Sequence, residues 1–212
     1  MSGIKTPRGK KIRALSTGTD LFDLETFSGV RSLENKFKSK SLPGKGPGER
    51  RMRESEFSQL MKSKQAVRLY YGLKEGQFKR IYDKAAKAKG STGDNLLSIL
   101  EIRLDNVVYR AGFAETRAQA RQLVSHGHIR VDGKRLNIPS YLCKAGQTIS
   151  IIEKSTQLAV INSACELAKQ KEAVQWLELD VKKRAVKVFS APTLDALHAM
   201  FKVNHIIELY SK

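Results

Sequence analysis

Between residues 104 and 152 the spacing of apolar side chains switches from helical to alternating, and that switch restricts the fold more than any other feature of the chain. Leu104, Val107, Val108 and Ala111 fall at i, i+3, i+4 and i+7, one face of a helix that Thr92 or Asp94 can cap and Gly112 can end. Arg103, Asn106 and Arg110 fall at i, i+3 and i+7 on another face. Thr116 is placed to cap a second helix, with Ala120, Leu123 and Val124 inward and Arg117, Arg121 and Ser125 repeating every four residues elsewhere. Residues 128–131 and 134–138 then read as short strands joined by Asp132-Gly133, a dipeptide that supplies the positive φ of a type I′ hairpin turn. Lys134 and Arg135 come out near the tip of that hairpin. Pro139 breaks the run, Ala145-Gly146-Gln147 makes another turn, and residues 148–152 alternate as a closing strand. The unit expected is two helices followed by a small antiparallel sheet.

The flanks are simpler. Phe57, Leu60, Met61, Ala66, Val67 and Tyr70 recur at roughly helical spacing, with Lys62, Lys64 and Arg68 between them. A second helix is predicted from Lys74, with Phe78, Ile81, Tyr82, Ala85 and Ala86 on one side, Lys79, Arg80, Lys84 and Lys87 off it, and Gly90 at its end. Downstream, Ser155 or Thr156 starts a helix to about residue 170, with Leu158, Ile161, Ala164, Cys165 and Ala168 on its apolar side. Strand-like runs at 176–181 and 185–189 flank the basic turn Lys182-Lys183-Arg184, and Pro192 sits near the start of a helix carrying Leu194, Leu197, Met200 and Phe201.

Charge narrows the function. The 212 residues hold 39 Lys and Arg against 21 Asp and Glu, a formal net charge of +18. Self-repulsion of that size opposes compaction unless a polyanion neutralises it, so nucleic acid is the first partner to expect and an acidic membrane surface the second. Residues 1–53 alone hold 13 basic and 5 acidic side chains, and with Pro43, Gly44, Gly46, Pro47 and Gly48 they read as a basic arm that can order against RNA phosphates. No run of about 18 apolar residues is present, and the opening MSGIKTPRGKKIR lacks the apolar core of a signal peptide, so a cytoplasmic protein without a membrane span is expected. Cys143 and Cys165 are too few for a disulfide scaffold or a four-cysteine zinc site and read as buried thiols.

Arg103-Leu104-Asp105-Asn106-Val107-Val108-Tyr109-Arg110, Thr116-Arg117-Ala118-Gln119-Ala120-Arg121-Gln122-Leu123-Val124-Ser125-His126 and Asn137-Ile138-Pro139-Ser140-Tyr141 together resemble the RNA-binding module of the bacterial small-subunit ribosomal protein four family. The likeness extends in order to Tyr71-Gly72-Leu73, to residues 89–97, to Trp176-Leu177-Glu178 and to Glu208-Leu209-Tyr210-Ser211-Lys212. It implies an α+β fold in three parts: a basic N-terminal arm over 1–53, a helical domain over 54–98 completed by about 182–212, and an RNA-binding module over 99–181 whose two helices pack on a small antiparallel sheet. It also implies direct binding to small-subunit rRNA near a multi-helix junction of the 5′ domain, nucleation of subunit assembly, and contact with ribosomal protein five of the small subunit at an interface tied to decoding accuracy. Family members lie near the channel through which mRNA enters, and some repress their own messenger. The arm has no cysteine, so the zinc-binding cluster of some members is not expected here; no cofactor and no enzymatic activity are expected.

Carried onto this chain, the resemblance makes Arg103, Arg110, Arg117, Arg121, Lys134 and Arg135 the phosphate contacts. Asn106, Gln122 and Ser125 would bond ribose hydroxyls or base edges, with His126 beside them. Lys64 and Arg68 on the first helix and Lys79 and Arg80 on the second are further candidates. Such donors suit folded RNA, which is recognised through shape, phosphates and unpaired bases. Taken singly, Asn106 also reads as a residue that ties a turn, and an exposed Arg as merely solvated. The alternative function is a ribosome-associated or RNA-modifying protein, such as a pseudouridine synthase, that uses the same module for docking; neither flank looks long enough for its catalytic domain. A DNA-binding protein is the weaker remaining reading.

Overall fold

The computed structural model describes residues 55–168, 174–180 and 183–211, and the expected arm over 1–53 lies outside them. The described residues are α+β, eight α-helices and one five-stranded antiparallel sheet. They fall into two compact units, one holding residues 55–78 and 196–211 and the other the residues from 79 to 195.

In the first unit, α1 (Glu56–Tyr70) starts at Ser55, whose side-chain oxygen accepts from the Ser58 N–H. Leu60, Ala66, Val67 and Tyr70 are buried, and α1 packs on α8 (Val203–Ser211). Phe57, expected on the inner stripe, is exposed because the buried stripe begins one turn later at Leu60. Tyr70 stands edge-on to Phe201 with ring centroids 5.1 Å apart, and Ser63 Oγ and His205 Nδ1 share a 3.0 Å hydrogen bond. α2 (Glu75–Lys87) begins in this unit, where it buries Phe78, and its remaining residues belong to the second unit, with Ile81 and Ala85 buried, Ala86 exposed and Tyr82 half-buried. α7 (Asp195–Met200) begins three residues after Pro192, a little later than expected.

The second unit departs from expectation first at its entry helix. One helix is predicted through Ala111, whereas α3 (Thr92–Glu101) and α4 (Leu104–Arg110) are separate, and the cap of α3 is Ser91 rather than Thr92 or Asp94. The break has a definite cause. Beyond the hairpin, the carbonyls of Tyr141 and Pro139 accept from Leu104 N–H (2.8 Å) and Asp105 N–H (3.2 Å), and Cys143 N–H donates to Ile102 C=O at 2.8 Å. A loop thus takes the backbone groups that a continuous helix would have used. The same loop leaves early, so the second hairpin strand is only β2 (Lys134–Arg135) rather than 134–138.

After α5 (Arg117–Ser125), capped by Thr116 as expected, β1 (Ile129–Val131) turns into β2 with φ of 49° at Asp132 and 77° at Gly133. Both values are positive, as a type I′ turn requires, and Gly133 takes its value without a Cβ penalty. The Asp132 carboxylate accepts from Thr148 N–H and Gln147 Nε2, each at 2.9 Å, which ties the turn to β3 (Thr148–Ile151). β4 (Leu177–Asp180) and β5 (Ala185–Val188) extend the sheet to the order β2-β1-β3-β5-β4, with Ile149 opposite both Val131 and Val186. The core lies between one sheet face and the helices: Leu104, Val107, Val108, Ala120 and Val124 against Ile129, Ile149, Val186 and Trp176. α6 (Ala159–Ala168) starts later than residue 155 because a 3₁₀ turn, Glu153–Ser155, occupies that stretch, and Leu158 is exposed as a result.

Candidate nucleic-acid interface

Helices α4 and α5 pack together, and the polar side chains between them form one network. Two buried carboxylates organise it. Glu101, at the end of α3, accepts from Arg110 through Nε (3.1 Å) and Nη2 (3.0 Å) and from Asn106 Nδ2 (2.9 Å). Asn106 Nδ2 also donates to the Glu101 carbonyl, and Asn106 Oδ1 accepts from Arg117 Nε at 3.0 Å. Asp105 takes a fork from Arg103, with Nε on Oδ1 at 3.1 Å and Nη2 on Oδ2 at 2.8 Å, and its Oδ2 is shared with Arg121 Nη2 at 3.0 Å. Arg117 also stacks its guanidinium 4.3 Å from the centre of the Tyr109 ring.

These contacts sort the predicted residues. Arg103 is 4% exposed and Asn106 1%, so both lie beneath the surface, and their donors and acceptors hold other side chains in place. The first two positions of the polar row at i, i+3 and i+7 are therefore supports rather than groups open to a phosphate. Arg110 and Arg121 remain partly open, their side chains 24% and 33% exposed, and Arg117 is half-buried. Gln122, Ser125 and His126 are exposed along the rest of α5; Ser125 Oγ donates to the Arg121 carbonyl.

The hairpin meets the end of this helix. Arg135 Nη2 donates to the His126 carbonyl at 3.1 Å, and its guanidinium lies against Gly127, where any Cβ would run into it. Lys134 is exposed too but points to the other side of the hairpin, because it pairs with Val131 whereas Arg135 pairs with Arg130. Arg130 is missing from the sequence prediction, although its alternation with inward Ile129 and Val131 is the signal that places it on the outer face of the sheet. Glu101 and Asp105 are missing as well. His128 bonds through Nδ1 to Ser155 Oγ at 2.8 Å; burial, with His126 and Arg135 nearby, lowers its pKa from the ordinary imidazole range.

The helical candidates separate in the same way. Lys64 is buried, donates to Glu75 Oε1 at 2.6 Å and lies 5.8 Å from the Tyr210 ring centre; Arg68 bonds Gln65 and approaches Glu75 at 3.4 Å. Both therefore brace the first unit, in which they sit. Lys79 and Arg80 are exposed on α2. Cys143 is buried and its thiol is pushed up to about 12 by burial, then by Asp105 and Asp132, so it stays protonated. Among the described residues no group of three or more His, Cys, Asp or Glu is placed to hold a metal ion, and no helix is long and apolar enough to cross a membrane.

A helix pair carrying ordered arginines above an antiparallel sheet, with a basic hairpin at its end, defines an RNA-binding protein of the S4-module class, and residues 102–149 match the S4 domain. Residues 4–101 match the ribosomal protein S4/S9 N-terminal domain. The chain is 48% identical to small ribosomal subunit protein uS4 of Pseudomonas aeruginosa over 195 residues, which covers 92% of this chain and 93% of that protein. Over the same shares it is 47% identical to the uS4 protein of Hahella chejuensis and 48% to that of Azotobacter vinelandii. The chain belongs to the uS4 family of ribosomal proteins, which are structural and not enzymatic.

Proposed function

We propose that the chain works in the cytoplasmic ribosome as a constituent of the small subunit and binds small-subunit rRNA directly through α4, α5 and the β1–β2 hairpin. The observation that carries this reading is the continuous polar and basic surface from Arg117 and Arg121 through Gln122, Ser125 and His126 to Arg135, in which Arg117 and Arg121 are held from beneath by Nε and Arg135 by Nη2 on the His126 carbonyl. Guanidinium forks suit phosphate oxygens bidentately, and Gln122 and Ser125 supply the donors and acceptors that ribose hydroxyls and unpaired bases need. Exposed Lys79 and Arg80, and Lys134 at the hairpin edge, would add phosphate contacts.

Binding of this kind, near a multi-helix junction in the 5′ domain, would nucleate subunit assembly. The basic side chains of residues 1–53 would add phosphate contacts to the same RNA, displacing counterions as they do so. A contact with ribosomal protein five, and a place near the channel through which mRNA enters, would tie the chain to decoding accuracy. The same RNA-binding face, turned on a similar fold in its own messenger, would make it an autogenous repressor.

The test is affinity for a transcript of the small-subunit 5′ domain against duplex DNA of equal length at matched salt, with retention on salt-washed small subunits as the second readout. Preference for the transcript and stoichiometric retention are expected. Equal affinity for DNA, or loss of the chain on washing, would contradict the proposal.

A further inference from the structure

We propose that Glu101 and Asp105 are positioning residues for RNA binding, acting through Arg110, Arg117 and Arg121; this rests on the rRNA-binding reading above. Electrostatics alone gives no reason for them, since each subtracts a positive charge from a surface that is to meet a polyanion. Stability gives little more, because a buried ion pair can often be replaced by apolar side chains of similar volume without loss. Their geometry supplies the reason. Glu101 holds Arg110 by Nε and Nη2, and holds Asn106, which in turn holds Arg117 by Nε at 3.0 Å. Asp105 holds Arg121 through Nε (3.2 Å) and Nη2 (3.0 Å) on the single oxygen Oδ2. Arg103 completes the arrangement, because its buried fork pairs the Asp105 carboxylate from beneath and fixes the direction of the oxygen that Arg121 shares.

The two carboxylates belong to one assembly. Asp105 Oδ1 also accepts from the Asn106 N–H at 3.0 Å, so the residue that orients Arg117 is fixed from both sides. An arginine held along one edge has given up most of its rotamer freedom before RNA arrives, and less is lost when a phosphate docks. Arg110 and Arg121 keep a quarter to a third of their side chains open for that contact. Groups one layer beneath a site act in this way when they lock the direction of those that touch the ligand.

The test uses the full chain and a transcript of the small-subunit 5′ domain. Glu101→Gln and Asp105→Asn each raise the net charge by one, so a purely electrostatic surface would bind the RNA more tightly. Positioning predicts the opposite sign, affinity up to about tenfold weaker, the cost of immobilising one freed arginine, in variants whose far-ultraviolet dichroism matches the parent. Equal or tighter binding overturns the proposal. Arg121→Lys is the fold-safe companion: it keeps the charge and leaves Arg103 on Asp105, yet it loses the fork, and full affinity in this variant would also overturn the proposal. Asp105→Asn introduced on top of Arg121→Ala should weaken binding only slightly further, whereas a full second loss would make Asp105 a scaffold residue and nothing more. Failure of the parent chain itself to prefer the transcript over a scrambled RNA would instead sink the functional reading.

Discussion

Arg117 donates through Nε to the side-chain oxygen of Asn106 at 3.0 Å, so the direction of a half-buried arginine on α5 is set by an amide on α4 that is 1% exposed. Asn106→Ala removes that acceptor and also the donor that Asn106 offers to Glu101. Leaving buried polar groups short of partners costs about 1–3 kcal/mol. Urea unfolding of the variant should show a loss in that range, together with weaker RNA binding; parental stability would mean that water or another side chain replaces Asn106.

Salt should control affinity strongly. A surface that neutralises about eight phosphates loses roughly 10³- to 10⁵-fold in affinity between 50 and 200 mM monovalent salt. Filter binding across that range checks it, and a flat profile would remove phosphate contacts as the main source of binding.

Arg130 and Arg135 stand directly opposite one another on the outer face of the hairpin. Like charges so placed repel, which costs stability unless an anion lies between them. Arg130→Ala should therefore leave stability within about 0.5 kcal/mol of the parent, or raise it slightly. It should also lower the slope of log affinity on log salt by about 1 if Arg130 meets a phosphate. An unchanged slope would confine the RNA to α5 and the hairpin tip.

Acid should weaken the first unit through Glu75. Burial pushes the pKa of this carboxyl up, but the hydrogen bond and charge of Lys64, with Arg68 and the Tyr210 hydroxyl, outweigh it and hold the group below its ordinary value. Because the folded state binds this proton less readily than the unfolded chain, the contribution is present above the unfolded pKa and is lost as pH falls through the folded one. The carboxylate is about half exposed, so the effect is small. His128 works in the same direction from a higher pH: its lowered pKa means that stability is full above the ordinary imidazole value and declines as pH drops below it. Thermal melts from pH 7 to pH 3 should show the loss, with a shallower acid limb in Glu75→Gln and a limb beginning at lower pH in His128→Asn. Parallel limbs in all three proteins would remove both groups from the account.

Much of the module is legible in the sequence because its signals are local. The stripe Leu104, Val107, Val108 and the stripe Ala120, Leu123, Val124 follow directly from helical periodicity, and Asp132-Gly133 fixes the hairpin by its backbone demands. The burial of Arg103 and Asn106 is not legible, since a polar residue repeating at helical spacing has the same pattern whether it faces water or a carboxylate on its neighbour. Lys64 shows the same ambiguity on α1. The break between α3 and α4 depends on the carbonyls of Pro139 and Tyr141, which arrive only after the hairpin has folded back. Pairing of β5 with β3 is equally non-local, because alternation announces a strand without naming its partner.

Hydroxyl-radical footprinting of small-subunit rRNA with the full chain asks whether the RNA is met by the α4, α5 and hairpin surface. A compact set of backbone protections at a multi-helix junction of the 5′ domain is expected, with a subset lost when Arg117→Ala and Arg121→Ala are combined in a chain of unchanged helical signal. Absence of any local protection, or an identical footprint from the double variant, would contradict that placement.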